Sequence, residues 1–183
     1  MCVIIFFLLV IFTSGIQASE SHFSTAGFYE LANSGREVYN MNVGWRFYKG
    51  SCPDAWQREF DDSSWEVVSI PHGLELLPEE ASGNINYQGK AWYRKNFSVP
   101  ANLKDKKVYL HFEGIMGKSR IWLNGKLLKE HFNGYLPIIA DVTEDLNFEM
   151  ENTLSICADN SDDPSFLPGK PQQALDFTYF GGI

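Results

Sequence analysis

No stretch of this sequence carries the 3.6-residue apolar stripe of an amphipathic helix, so helical bundles and helix-covered parallel sheets are set aside. Basic side chains are also scarce: 15 Lys and Arg stand against 23 Asp and Glu, for a net charge of −8 without a basic cluster. Such a surface repels phosphate backbones, which excludes nucleic acid as a natural partner; the acidic balance serves solubility. The chain has 3 cysteines and no CxxC or Cys–His spacing, so a structural zinc site is excluded. No serine sits in a nucleophile elbow and no glycine-rich phosphate loop opens a helix. His22, His72, His111 and His131 are scattered without ligand spacing, which argues against a histidine-based triad.

Long hydrophobic runs are missing as well, with one exception. Val3 to Phe12 (VIIFFLLVIF) is uninterrupted but falls short of the roughly 20 residues that span a bilayer. It reads as the core of a signal peptide, residues 1–18, cleaved after Ala18 and followed by a polar leader over 19–36. Export to a periplasmic or secreted location is expected, without membrane embedding; Cys2 lacks the upstream sequence of a lipoprotein cysteine. Cleavage leaves Cys52 and Cys157, a pair that could bridge in an oxidising compartment, although a core of this size does not need the staple.

What the chain does have is aromatic residues and alternation. Val43, Trp45 and Phe47 alternate in VGWRFY, and WEVVSI (65–70) follows a Phe-Asp-Asp-Ser-Ser turn. AWYRKNFSV (91–99) puts Ala91, Tyr93, Phe97 and Val99 on one face. In VYLHFEG (108–114), Val108, Leu110 and Phe112 face inward and His111 faces outward. RIWLNGKLL (120–128) carries Asn124-Gly125, the signature of a two-residue type I′ hairpin. TLSICAD (153–159) alternates Leu154, Ile156 and Ala158 against Thr, Ser and Cys, and DVTEDL (141–146) suggests one helical turn capped by Thr143. Many short strands at turn-marked spacing predict an all-β antiparallel jelly-roll sandwich over residues 37–183.

The candidate chemistry is thin. Glu79-Glu80 is the nearest approach to a carboxylate pair, but adjacent residues in an extended loop point apart, whereas glycosidic chemistry needs carboxyls about 5–10 Å apart across a sugar. Asp159-Asn160-Ser161-Asp162-Asp163-Pro164 offers the oxygens calcium prefers without EF-hand spacing, and reads as turn chemistry. Trp45, Trp65, Trp92 and Trp122 belong to strand patterns and to the core; Trp56 falls outside them and is the one candidate to stack on a sugar face. The run Asp176 to Ile183 is aromatic and apolar, ending on what looks like the start of a new strand, as if the chain were cut inside a larger protein.

Six phrases in order over residues 37–183 resemble the N-terminal domain of glycoside hydrolase family 2, above all its β-galactosidases. They are Asn42 to Phe47 (NVGWRF), Phe60 to Trp65 (FDDSSW) with Ile70-Pro71-His72, Gly89 to Phe97 (GKAWYRKNF), Leu123 to Lys126 (LNGK), Gly134 to Pro137 (GYLP) leading to Asp141-Val142-Thr143, and Asp176 to Ile183. The resemblance implies a galactose-binding-like jelly roll, followed in the family by an immunoglobulin-like sandwich and a barrel that holds both catalytic glutamates. It implies a retaining hydrolase of a terminal β-galactoside or related glycan, with this part catalytically silent alone and the absent domains as its partners. It places Asp176 in the galactose pocket and on a sodium ion there, and makes Asn84 and Asn86 candidate sugar contacts. The chain departs from the family at Thr178-Tyr179, where the best-known pattern has Trp-Arg, and after His72, where many relatives carry a tryptophan two residues on. The alternatives are a stand-alone carbohydrate-binding module, or a remnant of a related β-glucuronidase or β-mannosidase.

Overall fold

A computed structural model describes residues 35–75, 86–165, 167, 169–175 and 178–183. They form eight antiparallel strands: β1 Trp45–Lys49, β2 Glu66–Val68, β3 Lys90–Phe97, β4 Tyr109–Phe112, β5 Lys118–Leu123, β6 Lys126–Phe132, β7 Ile138–Asp141 and β8 Asn152–Asp159. Six of them make a sheet in the order β2-β1-β3-β8-β5-β6, while β4 and β7 pair separately. The last of these eight strands, β8, thus lies inside the large sheet, between β3 and β5. No α-helix occurs among the described residues. The all-β jelly-roll sandwich expected from the alternation is the fold found.

One face of the large sheet carries the main core. Trp45 and Phe47 of β1, Tyr93 of β3, Ile121 of β5 and Ile156 of β8 meet Leu110 and Phe112 of β4 and Ile138 and Ala140 of β7. The inward-facing residues follow the predicted period of two, and His111 is exposed as that period requires. Asn124 and Gly125 have φ of 52° and 82°, the doubly left-handed turn that joins β5 to β6 with Leu123 opposite Lys126. Lys95 shares the core face of β3 with Tyr93 and Phe97, yet is only 3% exposed. Its ammonium donates to the Val43 carbonyl at 2.6 Å, and burial holds its pKa below the ordinary lysine value.

The other face is covered by a loop, residues 51–64, rather than by a second sheet. Ala55, Trp65, Trp92 and Cys157 pack there with Cys52, Phe60 and Trp122 against them. Trp92 and Trp122 stack at 5.5 Å. Strands β3 and β8 are therefore buried on both faces, so Thr153, Ser155 and Cys157 lie inside along with Leu154, Ile156 and Ala158. Cys52 and Cys157 are both free thiols, and desolvation pushes the Cys157 pKa up to about 11.

Arg94 fastens this loop. It is 1% exposed and points from β3 into the loop. Its Nε donates to the Asp62 carboxylate at 2.7 Å. Nη1 donates to the Ala55 carbonyl, to the Gln57 carbonyl at 3.0 Å and to the Ser155 hydroxyl at 2.8 Å. Nη2 reaches the carbonyls of Arg58 and Phe60 at 3.4 and 3.3 Å.

Two local expectations change. The stretch 141–146 is a turn and not a helix: Asp141 Oδ1 accepts from both the amide and the hydroxyl of Thr143, and the Thr143 hydroxyl oxygen accepts from the Val108 amide. The strand expected over 65–70 shrinks to Glu66–Val68, because the Ile70 amide donates to the Asn42 carbonyl outside the ladder.

Replacing Arg94 by Met would strand Asp62 and four carbonyls in a dry layer. A loss of about 3–5 kcal/mol in urea-unfolding free energy is expected, the range for breaking a buried charge pair. Arg94→Lys should recover only part of it, because one ammonium cannot reach acceptors spread over residues 55–62. A loss under about 1 kcal/mol in the Met variant would contradict the assignment.

Candidate functional site

The end of the chain is folded into the sandwich. Gly182 bridges Gly73 in antiparallel fashion, with the His72 amide donating to the Ile183 carbonyl at 2.7 Å and the Ile183 amide returning to His72 at 3.2 Å. The Leu74 and Met116 amides donate to the carbonyls of Gly181 and Gly182. Gly182 has φ of +132°, and a Cβ there would lie 2.0 Å from the His72 oxygen, so the close approach admits only glycine. At the strand start read at Ile183, the pairing found is an isolated bridge at Gly182.

Side-chain amides tie this terminal segment to the loop before β3. Asn86, 6% exposed, donates through Nδ2 to the Tyr179 carbonyl at 2.9 Å, and its Oδ1 accepts from Gln172 Nε2 and from Gln88 Nε2. Gln172, 3% exposed, also donates to the Tyr179 carbonyl at 3.0 Å, and its Oε1 accepts from the Asn86 backbone amide. The Tyr179 hydroxyl donates to Asp162 Oδ1 at 2.7 Å; it lies 3.1 Å from Gln88 Oε1. Burial and the neighbouring Asp162 carboxylate push the Tyr179 pKa well above the usual tyrosine range. Asn160, 1% exposed, grips the Tyr87 carbonyl and the Gly89 amide from the end of β8. The cleft among Met116, Asn160, Ser161, Lys170 and Tyr179 has a volume near 10 Å³, room for about one water and too small for a sugar.

Of the candidate sugar contacts, Asn86 lies in this network, with most of its hydrogen-bonding capacity used inside the protein. Asn84 and Asp176, like Glu79 and Glu80, lie outside the described residues. The carboxylates of the 159–163 stretch are spent locally. Asp159 Oδ1 accepts from the amide and hydroxyl of Ser161, Asp162 from Tyr179, and Asp163 from Ser165 and the Lys118 ammonium. Among the described residues, no three acidic, histidine or cysteine side chains cluster to hold a metal. Gln172 was not legible from the sequence, because it sits in a short 3-10 turn without strand alternation to mark its face.

His72 stands where the terminal bridge meets the core. Its ring packs edge-on to Phe47 at 4.5 Å, and its Nδ1 lies 3.0 Å from the Tyr93 hydroxyl. Burial lowers its pKa below the ordinary value, with Glu66 opposing that shift.

Residues 78–165 match the family model described as "Glycosyl hydrolase 2 galactose-binding domain-like". The chain is 36% identical to a β-galactosidase of Thermoanaerobacter pseudethanolicus over 150 residues, 81% of this chain and 20% of that protein. It is 31% identical to a β-glucuronidase of Formosa agariphila, covering 77% of this chain and 15% of the other. Among solved structures, the β-glucuronidase of Bacteroides uniformis superposes with a TM-score of 0.69 at 34% identity, over 78% of this chain and 16% of that one. The chain spans about a fifth or less of the length of these relatives.

Two outcomes follow from this geometry. Asn86→Ala leaves the Tyr179 carbonyl and the amides of Gln172 and Gln88 short of partners, so a loss of about 2–3 kcal/mol in unfolding free energy is expected. Faster amide exchange at residues 179–183 should accompany it, and unchanged exchange there would refute the tether. For His72, a lowered folded pKa means the unfolded chain takes up the proton first, so this contribution to stability is present above the ordinary value of 6.5 and is lost as pH falls below it. The drop in thermal midpoint between pH 7.5 and 5.5 should be smaller in His72→Gln than in the parent, and an equal drop would dismiss the assignment.

Proposed function

Because this chain belongs to glycosyl hydrolase family 2 and carries its N-terminal galactose-binding-like domain, we propose that it serves as the sugar-binding part of an exported retaining β-glycosidase. The observation that carries this reading is the docking of both flanks of Asp176: Gln172 and Tyr179 are tied to Asn86, and residues 181–183 pair with residues 72–74. A residue between two anchored flanks can be presented to a shared pocket with little loss of entropy on binding.

In this reading Asp176 accepts hydrogen bonds from sugar hydroxyls and offers its second oxygen to a sodium ion. Asn84 is a further candidate contact from the loop before β3. Asn86 supports the same wall, chiefly by fixing the Tyr179 carbonyl. The acid and the nucleophile come from a barrel domain of the longer protein, which the relatives' lengths accommodate. The relatives include β-galactosidases and β-glucuronidases, so the proposed substrate is a terminal β-galactoside or β-glucuronide. Tyr135, Leu136, Leu167 and Phe180 are 46–60% exposed, and Leu167 lines the cleft beside Tyr179. They are the apolar surface proposed to meet the rest of the enzyme. Export rests on the apolar run Val3 to Phe12.

The chain alone should not release nitrophenol from an aryl β-galactoside or β-glucuronide. In a longer polypeptide that includes the barrel, Asp176→Asn should lower kcat/KM by about 100-fold and weaken any dependence on sodium. Turnover by the purified 183-residue chain above a blank would sink the first expectation; an Asp176→Asn enzyme of full activity would sink the second.

A further inference from the structure

The sequence contains two Asn-Gly pairs, Asn124-Gly125 and Asn133-Gly134. Glycine after asparagine leaves the next peptide nitrogen unshielded by a Cβ, so that nitrogen can reach the side-chain amide carbon. The two pairs share this chemistry and differ in how the fold holds the asparagine.

Asn124 is locked. Its Nδ2 donates to the Asp145 carbonyl at 3.1 Å and to Asn152 Oδ1 at 2.9 Å, and its Oδ1 accepts from the Thr153 amide at 3.0 Å. All three partners lie within residues 145–153, which draws the amide toward the start of β8 and the turn before it. Turning it onto the Gly125 nitrogen would break all three bonds.

Asn133 is arranged for the reaction. It follows β6 in the loop to β7, with Tyr135 and Leu136, 54% and 55% exposed, just beyond it. Its Oδ1 accepts from the Tyr135 amide at 2.7 Å, and its NH₂ group has no hydrogen-bond partner among the described residues. That single bond folds the side chain forward over the Gly134 peptide. It also aims an N–H at the oxygen that turns negative when the amide carbon is attacked, as an oxyanion donor does. A Cβ at position 134 would collide with Met116 Sδ, so packing keeps the reactive glycine in place.

We propose that Asn133 is a site of spontaneous covalent modification, converted through a succinimide to aspartate and isoaspartate, while Asn124 is protected. Base removes the proton of the Gly134 amide, and its nitrogen bonds to Asn133 Cγ. The Cγ–Nδ2 bond then breaks, and ammonia leaves with a proton. Water opens the ring at one of two carbons. Attack at Cγ gives aspartate, which keeps an acceptor for the Tyr135 amide. Attack at the backbone carbonyl carbon gives isoaspartate, which carries the main chain through Cγ and adds a methylene to it beside the Gly134–Met116 contact. Water is the only co-reactant, and no electrons are exchanged. The site is independent of the Asp176 reading.

The test is incubation of the full chain in mildly alkaline buffer, followed by peptide mapping with tandem mass spectrometry and isoaspartyl methyltransferase labelling. In the folded chain Asn133 should exchange NH₂ for OH at least about 30-fold faster than Asn124, because Asn124 must first lose three bonds worth about a factor of five each. Isoaspartate should be labelled at position 133. In about 8 M urea, where neither side chain is held, the two rates should agree within about three-fold. Equal rates at the two sites in the folded chain overturn the proposal. An Asn133 that stays intact in the folded chain while it reacts in urea overturns it equally.

Discussion

The loop over the outer face of the large sheet has few strand partners for its carbonyls, and a buried carbonyl without a donor is costly. Arg94 resolves this from below, meeting carbonyls of residues 55, 57, 58 and 60 and the Asp62 carboxylate with one planar group. A guanidinium suits the task because its five N–H bonds spread in a plane and it never deprotonates in a protein. Its desolvation is offset only while all these acceptors stay in place, so the loop and the strand specify each other. With the loop fixed, Trp65, Trp92 and Cys157 become interior residues, and β3 and β8 become strands buried on both faces. The position of Trp56 follows from the same contacts.

Amide side chains do comparable work at both ends of the sandwich, without charge. At one end Asn152 accepts from the Asn147 amide and from Asn124 Nδ2 and donates to the Asn147 carbonyl, while Asn124 Oδ1 accepts from the Thr153 amide. At the other end Asn86, Asn160 and Gln172 join residues 86–89 to the end of β8 and to the terminal segment. An amide side chain offers the same donor and acceptor as a peptide group and can continue a ladder where the backbone turns away. This lets loops close over the ends of the sheet without regular strand pairing.

The legible parts of the sequence were those governed by short-range rules. Leu110 and Phe112 follow the two-residue period because β4 has one buried face, and Asn124-Gly125 announces its turn because few other pairs tolerate two positive φ values. Ser155, Cys157 and Arg94 were harder, because their burial depends on a loop more than thirty residues away in sequence from either strand's partner face. Alternation cannot report a cover supplied from such a distance. Thr143 carried a capping signal, but Asp141 and Val108 captured it for a turn. The resemblance makes Asn86 a candidate sugar contact, while its hydrogen-bond partner Gln172 carries no local signature, since two buried amides meeting 86 residues apart leave no periodic trace.

The two ends of the sheet therefore divide the chemistry differently. Around Asn86 and Tyr179 the polar groups are satisfied by one another, and the space left is about one water in size, so a sugar there needs a wall supplied by other residues. Around Arg58 and Asn147 the surface is open instead, and the Asn147 NH₂ group is uncommitted among the described residues. A domain that must complete a shared pocket gains from a rigid edge, because any slack there would be lost as binding entropy when the pocket closes. The bridge at Gly182 provides that rigidity through a backbone approach too close for any side chain, and so fixes the edge by geometry that substitution cannot loosen gradually.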